Sequence, residues 1–242
     1  MPGQTLWRDK AHITRSPGRF SGILIGVSDL LQAWRAALPA SAPDGLVAQS
    51  GEDLLTRWSE PHRHYHTTDH LRVVLAVVDD HAVRADDPDA VRLAAWYHDA
   101  IYDPQRVDNE EASALLAESI LPNLGVPPDR VAEVARLVRL TASHDPIPGD
   151  RNGGLLTDAD LCVLASPPDI YQAYTAAVRR EYSFVPEQAF VAGRAAVLDG
   201  LLALPRLFHT PALRERWEDI ARSNLTRELA GLRDKPLPYA SI

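Results

Sequence analysis

The chain has almost no cysteine and no long apolar run. Cys162 is the single cysteine among 242 residues, which excludes an intramolecular disulfide and favours a reducing compartment. No apolar run reaches the roughly 20 residues that span a bilayer. The first 22 residues carry arginine and lysine but lack the apolar stretch of a signal peptide. These absences predict a cytoplasmic protein without a membrane partner.

An excess of basic residues is also missing. The chain has 33 acidic residues against 25 lysines and arginines, a net charge of −8. Because nucleic-acid binding proteins neutralise phosphates with cations, this balance argues against a general nucleic-acid binder. There is no glycine-rich phosphate loop and no base-stacking motif. A small phosphorylated substrate, held by a metal and one or two arginines, remains compatible with the charge.

Strand patterns are almost absent, since no period-2 run of β-branched residues recurs. Apolar residues instead recur at helical spacing, in segments separated by short proline-containing connections. We therefore predict an all-α fold of nine or ten helices, in one domain over residues 21–242 that follows a loose arm over 1–20. The third helix is expected to start at a capping Thr67 or Thr68. The others are expected at about 23–38, 46–58, 91–101, 108–121, 129–141, 155–165, 168–182, 186–204 and 211–231.

Two histidines, His66 and His70, are separated by one helical turn. On a helix they share a face and lie roughly 6 Å apart along the axis. Such a pair can bind one metal, or one histidine can be a ligand while the other acts on the substrate. An isolated pair of this kind is more often two surface or capping histidines.

Carboxylates follow in two apolar segments. Asp99 comes directly after His98, and an ionised aspartate beside Trp96 and Tyr97 is costly unless it is paired or metal-bound. Asp158 and Asp160 stand two residues apart, so on a helix they face different ways. We expect one of them to cap the helix and the other to be buried.

Three further polar residues are weaker candidates. His144 follows a predicted helix end, where a histidine near the carboxyl terminus of the helix dipole is the simpler interpretation. Glu110 can orient water or hold a ligand imidazole, or it can be an ordinary first-turn acid. Arg180, beside Glu181 and Tyr182, can clamp a phosphate, although a structural ion pair is the more common role of such a trio.

The order His…His-Asp…Asp, with its flanks, resembles the HD-domain superfamily of metal-dependent phosphohydrolases, and in particular a bacterial subgroup of predicted HD phosphohydrolases. The resemblance implies an all-α bundle, here with a C-terminal helical extension. It also implies a divalent metal held by His70, His98, Asp99 and Asp160. The matching stretches are residues 65–70, 97–102, 109–113, 141–144, 158–161 and 180–182.

The resemblance also suggests roles beyond the ligands. Tyr-His-x-x-x-His is similar to the cyclic-nucleotide phosphodiesterases, in which the first histidine protonates the leaving oxygen. By this similarity His66 is the acid. In an alternative assignment, His66 is instead the metal ligand. We expect His66, Asp99 and Glu110 to be catalytic, and we consider His144 and Arg180 for a second metal or for the substrate.

The implied activity is hydrolysis of a phosphoester of a small molecule, a nucleotide or another phosphometabolite, by metal-activated water. Such ligands suit Mn, Fe, Co, Ni or Zn better than Ca, and Mg is also compatible. Two other classes remain open: an HD-type di-iron oxygenase, which needs two metals, and a non-catalytic helical binding protein with a structural metal. The sequence leaves open whether the protein forms a homodimer.

Overall fold

A computed structural model describes residues 27–234 of the chain. This part contains ten α-helices and no β-strand, which confirms the predicted all-α class. None of its helices combines the length and apolar character needed to cross a membrane. The helices are α1 (Val27–Ala36), α2 (Asp44–Arg57), α3 (Thr68–Asp80), α4 (Pro88–Tyr97), α5 (Asn109–Ile120), α6 (Pro128–Leu140), α7 (Arg151–Asp160), α8 (Pro168–Glu181), α9 (Glu187–Ala203) and α10 (Pro211–Arg233). Three short 3₁₀ turns cover Ala82–Arg84, Leu121–Leu124 and Leu161–Ala165.

Local chemistry explains where most helices begin. Thr67 caps α3, as predicted, because its side chain accepts a hydrogen bond from the backbone N–H of Asp69. Asp87 caps α4 in the same way through the N–H of Ala90. Proline has no N–H to leave unpaired and its fixed φ suits the first helical turn. It occupies this position in α4, α6, α8 and α10.

Helix α7 begins earlier than the sequence suggests. The helix is expected at about 155–165, but Asp150 caps it and Arg151 begins it. A Cβ on Gly153 would lie 2.3 Å from Oδ2 of Asp150 and 2.6 Å from a methyl of Leu140 on α6. Glycine therefore permits the close approach of α7 to α6, and packing outweighs its low helix propensity. The helix ends at Asp160, and the remaining expected residues form the 3₁₀ turn Leu161–Ala165.

Helix α4 lies in the main hydrophobic core. From Ala90 to Tyr97 all its residues except Arg92 are buried, as expected for a helix that is apolar on nearly every side. It packs against α3, α5, α6 and α7. The helix ends at Tyr97 rather than at the predicted Ile101, so His98 is its C-cap and Asp99 lies beyond it. The C-terminal end of α4 therefore lies among the helices that pack against it.

A second apolar cluster joins the C-terminal helices. Phe208 and Leu225 are fully buried within it, together with residues of α8, α9 and the 3₁₀ turn Leu161–Ala165. Trp217 of α10 packs against this cluster and against the main core. The assignment of one domain to residues 21–242 stays a prediction, and the expected arm over 1–20 lies outside the described residues.

Candidate metal centre

Four predicted ligands meet where α3, α4 and α7 converge. Nε2 of His70, in the first turn of α3, lies 3.2 Å from Nε2 of His98 and 3.1 Å from Oδ1 of Asp160. Nε2 of His98 is 3.6 Å from that oxygen and 3.2 Å from Oδ2 of Asp99. His70, His98 and Asp160 form a group whose donor atoms lie within 4.8 Å of one another, compact enough to hold a metal ion. Asp99 borders this group on the side of His98.

Aromatic packing fixes the two imidazoles. The ring of Trp58, at the end of α2, lies 5.3 Å from the His98 ring and 6.2 Å from the His70 ring. Its indole N–H donates a 3.0 Å hydrogen bond to the carbonyl of Trp96, which anchors the last turn of α4. On the other side, the ring of Tyr65 lies 4.8 Å from that of His70. The histidines are therefore held in place by packing as well as by their polar contacts.

The hydrogen bond of His98 determines which of its nitrogens faces the group. Nδ1 lies 2.8 Å from the carbonyl oxygen of Ala95, an acceptor, so Nδ1 carries a proton. In the neutral ring, Nε2 then presents a lone pair to the carboxylates of Asp99 and Asp160, and it also lies 3.2 Å from Nε2 of His70. A lone pair that faces two carboxylates requires a cation or an additional proton.

The pKa values of His98 and Asp160 also indicate that this group of side chains favours a positive charge. Burial alone would lower the pKa of His98, but the carboxylates of Asp99 and Asp160 outweigh burial and raise it well above the usual range. Burial would raise the pKa of Asp160, yet His98 and the hydrogen bonds from His144 and His70 hold it well below its usual range. The site therefore favours ionised carboxylates, which are the form that binds a metal.

The spacing of the donor atoms fits a first-row divalent ion. With ligand bonds of about 2.1 Å, neighbouring donors are separated by about 3.0 Å at octahedral angles and about 3.4 Å at tetrahedral angles. The three separations within the group of His70, His98 and Asp160 run from 3.1 to 3.6 Å, and Oδ2 of Asp99, outside that group, lies 3.2 Å from Nε2 of His98. Two imidazole nitrogens and one or two carboxylate oxygens are also the donors that such ions prefer. The residues present therefore fit a bound metal.

His66 lies beside the group but outside it. Its Nε2 is 4.0 Å from Oδ2 of Asp99 and its Nδ1 is 2.8 Å from Oε2 of Glu181. The expectation that His66 and His70 project from one helix face is wrong, because α3 begins at Thr68 and His66 precedes the cap. Its position is set by the loop before the helix.

Glu181, the last residue of α8, organises that loop. Its Oε1 accepts the backbone N–H groups of His64, Tyr65 and His66 at 2.7, 2.7 and 3.0 Å, and its Oε2 accepts the hydroxyl of Tyr102 at 2.9 Å. Burial opposes ionisation, but the bond from His66 and the backbone donors outweigh it and lower the pKa of Glu181 to about 2. Sequence analysis noted Glu181 only as a neighbour of Arg180. Its partners lie 79 to 117 residues away, so no local pattern reveals them.

The same carboxylate affects His66. Burial alone would lower the pKa of His66, but Asp99 and the hydrogen bond to Glu181 outweigh burial and raise it. By contrast, burial dominates at His70, whose pKa is lowered despite its contact with Asp160. Two histidines four residues apart are thus adjusted in opposite directions, one toward the protonated form and one toward the neutral form.

Arg63 ties the loop to the end of α4, and sequence analysis did not single it out. Its guanidinium is buried and donates to the carbonyls of Asp99 at 2.8 Å, His66 at 3.2 Å and Ala100 at 3.3 Å. It also forms a 3.0 Å salt bridge with Glu60. This side chain fixes the distance between the His66 and Asp99 segments.

His144 contacts the second oxygen of Asp160. The distance from its Nε2 to Oδ2 is 2.8 Å, and its backbone φ of +51° falls in the left-handed region, which non-glycine residues seldom adopt. His144 therefore belongs to the centre and orients the carboxylate whose Oδ1 faces His70. The helix-end interpretation of this residue does not account for that contact.

One of the two aspartates is buried, as expected, and it is Asp158. The expectation that the other caps the helix is wrong, because Asp150 is the cap of α7. The Asp158 carboxylate lies outside the ligand group and accepts the backbone N–H groups of His209 and Thr210 at 2.6 and 2.7 Å. Burial raises the pKa of Asp158 to about 7, against the effect of these donors. Asp158 joins α7 to the start of α10.

Glu110 and Arg180 do not belong to the four-residue group. Glu110 is half-buried in the first turn of α5, and within residues 27–234 no hydrogen bond or ion pair joins its side chain to the ligands. Arg180 is exposed and lines a cavity of about 520 Å³ with Tyr102 and Glu181; this cavity's lining includes none of the ligands. Their catalytic and substrate roles stay predictions.

Comparison of the chain with protein-family models, with curated proteins and with solved structures finds no match in any of the three. The geometry of the centre and the residue pattern that supplies it are therefore what indicate a function.

Proposed function

We propose that this chain is a metal-dependent phosphohydrolase of the HD superfamily that cleaves a phosphoester of a small molecule, a nucleotide or another phosphometabolite. The observation that carries the proposal is the group formed by His70, His98 and Asp160, with Asp99 3.2 Å from His98. These residues occur in the order His…His-Asp…Asp, and a helical fold brings them to one point. Nucleic acid and membrane are not among the proposed partners.

His70, His98 and Asp160 would hold the ion, with Asp99 as the fourth ligand. When bound, a divalent ion polarises a phosphoryl oxygen and lowers the pKa of a coordinated water. The imidazole side of the group is closed, since the side chains of His70 and His98 are 3% and 1% exposed. The carboxylate side is less enclosed, since those of Asp99 and Asp160 are 15% and 14% exposed. A substrate would therefore reach the ion from the side on which Asp99 and Asp160 lie.

His66 is the proposed proton donor for the leaving oxygen. Asp99 and Glu181 raise its pKa, which favours the protonated ring that a general acid needs. Its Nδ1 is occupied by Glu181, which leaves Nε2 to face Asp99 and the less enclosed side. Asp99 then lies between the ligand group and the acid, where its carboxylate can bind the ion or accept a proton from water. Glu110 is proposed to orient that water.

Metal stoichiometry separates this proposal from a di-iron oxygenase, which needs two ions. His144 contributes one additional imidazole through Asp160, fewer than a second complete ligand set. A non-catalytic protein with a structural metal would need a closed coordination shell, whereas the carboxylate side here is accessible.

A phosphate-release screen over nucleotides and phosphometabolites, with Mn, Fe, Co, Ni, Zn and Mg added in turn, tests the proposal. We expect metal-dependent release that His98→Ala abolishes. His81→Ala is the matched control, because His81 is the C-cap of α3 and lies outside the ligand group. Release that survives in His98→Ala, or no hydrolysis with any metal, would contradict the proposal.

A further inference from the structure

The less enclosed side of the metal centre includes five half-buried side chains. They are those of Tyr65, His66, Asp99, His144 and Asp160. The opposite side is sealed, because Trp58 is 0% exposed and the side chains of His98 and His70 are 1% and 3% exposed. A substrate that reaches the centre would therefore meet the five half-buried side chains first.

Four of the five already have polar partners. The imidazoles of His66 and His144 each lie 2.8 Å from a carboxylate oxygen. The carboxylates of Asp99 and Asp160 lie 3.2 and 3.1 Å from the ligand imidazoles. Tyr65 differs, because its hydroxyl forms no hydrogen bond with any residue of the described range 27–234. This hydroxyl is not one of the buried unpartnered atoms either, so it keeps accessible surface and is free to bind a ligand.

The ring of Tyr65 places that hydroxyl beside the reacting groups. Its centroid lies 4.8 Å from the centroids of both the His66 and the His70 rings. A third side packs edge-on against Tyr174, with centroids 4.6 Å apart, and Arg194 donates a 3.2 Å hydrogen bond to the Tyr174 hydroxyl. Because three rings cover the body of the phenol, its accessible hydroxyl is the part that can contact a ligand.

A neutral donor is what this side of the centre otherwise lacks. Phosphoryl oxygens accept hydrogen bonds, but the carboxylates of Asp99 and Asp160 repel them. The guanidinium of Arg63 is committed to three main-chain carbonyls and does not supply the donor. A phenol is protonated at neutral pH, and burial, with the nearby carboxylates adding to it, raises the pKa of Tyr65 further.

We propose that Tyr65 binds the phosphoryl group of the substrate by donating a hydrogen bond from its hydroxyl to a phosphoryl oxygen. The inference rests on the proposed phosphohydrolase function. It adds a binding residue that neither holds the ion nor transfers the proton, since those roles belong to His70 and His66.

Binding of inorganic phosphate to the metal-loaded full chain, followed by isothermal titration calorimetry, tests the inference. Tyr65→Phe removes the hydroxyl but keeps the ring against His66 and His70, so metal content and melting temperature should match the wild type. We expect phosphate binding to weaken by roughly 10- to 100-fold, the usual contribution of a hydrogen bond to a charged group. Tyr171→Phe is the matched control, because the Tyr171 hydroxyl pairs with Glu228 away from the centre, and its phosphate affinity should be unchanged.

An NMR measurement on the wild type distinguishes direct contact from an indirect effect. With isotope-labelled tyrosine Cζ, phosphate should move the resonance that Tyr65→Phe removes and leave the Tyr171 resonance in place. Equal phosphate affinity of Tyr65→Phe and the wild type, or a Tyr65 resonance that phosphate does not move, would overturn the inference and leave the proposed function intact. A metal-loaded wild type that binds no phosphate would overturn both.

Discussion

Replacing Glu181 by glutamine tests how the loop before α3 controls the candidate proton donor. The three backbone N–H groups of residues 64–66 point at Oε1 and cannot reverse direction. The amide oxygen of glutamine must therefore take the place of Oε1, and the NH₂ group must take the place of Oε2. That NH₂ group then faces Nδ1 of His66 and the hydroxyl of Tyr102.

The substitution therefore changes the protonation of His66. The hydroxyl of Tyr102 can rotate to become an acceptor, but Nδ1 of His66 accepts only if it loses its proton, which moves the ring hydrogen to Nε2. A charge-assisted hydrogen bond contributes about 1.5–3 kcal/mol, equivalent to about 1–2 pH units. We therefore expect the pKa of His66 to fall by about 1–2 in Glu181→Gln, so that less of the ring is protonated at neutral pH.

The assay is an NMR titration of the ring nitrogens of His66, with the pH dependence of phosphate release measured on the same samples. The descending alkaline limb of the activity profile should move to lower pH together with the pKa of His66. Glu228→Gln is the matched control, because Glu228 is a half-buried acceptor for Arg194 and Tyr171, away from the metal centre. If the pKa of His66 is the same in Glu181→Gln and in the wild type, the Glu181 carboxylate does not stabilise the protonated ring of His66, and the reasoning is refuted.

Three other predictions follow from the same region. Arg63→Ala should destabilise the fold by about 3 kcal/mol or more in chemical denaturation, because buried carbonyls lose their donor, whereas Arg57→Ala, in a partly exposed pair, should cost under about 1 kcal/mol. His66→Ala should retain metal but lose roughly 10²- to 10⁴-fold in turnover, and less for nitrophenyl phosphates, whose leaving groups need little protonation. Because the pKa of Glu181 is lowered from 4.5 to about 2, its stabilisation should be complete above pH 4.5 and disappear toward pH 2, so the melting temperatures of the wild type and Glu181→Gln should converge there.

The helices could be predicted from the sequence because their ends are encoded locally. Thr67 and the prolines at the first helical positions act within one turn, so a single sequence carries their signal. Two helices differ from the prediction. Helix α4 ends at Tyr97 rather than Ile101, and in α7 Gly153 resembles loop sequence but leaves room for Leu140 of α6. That proximity is visible only once the two helices are packed together.

The ligands could be predicted through the resemblance to the HD superfamily, but the residues that position them could not. The resemblance implied His70, His98, Asp99 and Asp160, and the structure groups three of them, with Asp99 next to His98. Glu181 and Asp158 could not be assigned, because each carboxylate is defined by backbone N–H groups more than 50 residues away. Hydrogen bonds to main-chain atoms leave no side-chain pattern in the sequence of the partner segment.

The metal content of the wild type, His70→Ala and His66→Ala, measured side by side by mass spectrometry after purification with divalent metal present, tests the central claim most directly. We predict about one ion per chain in the wild type and in His66→Ala, and none above background in His70→Ala, because His70 lies in the ligand group and His66 does not. Metal retained by His70→Ala and lost from His66→Ala would reverse the two roles, and equal metal in all three would place the site elsewhere.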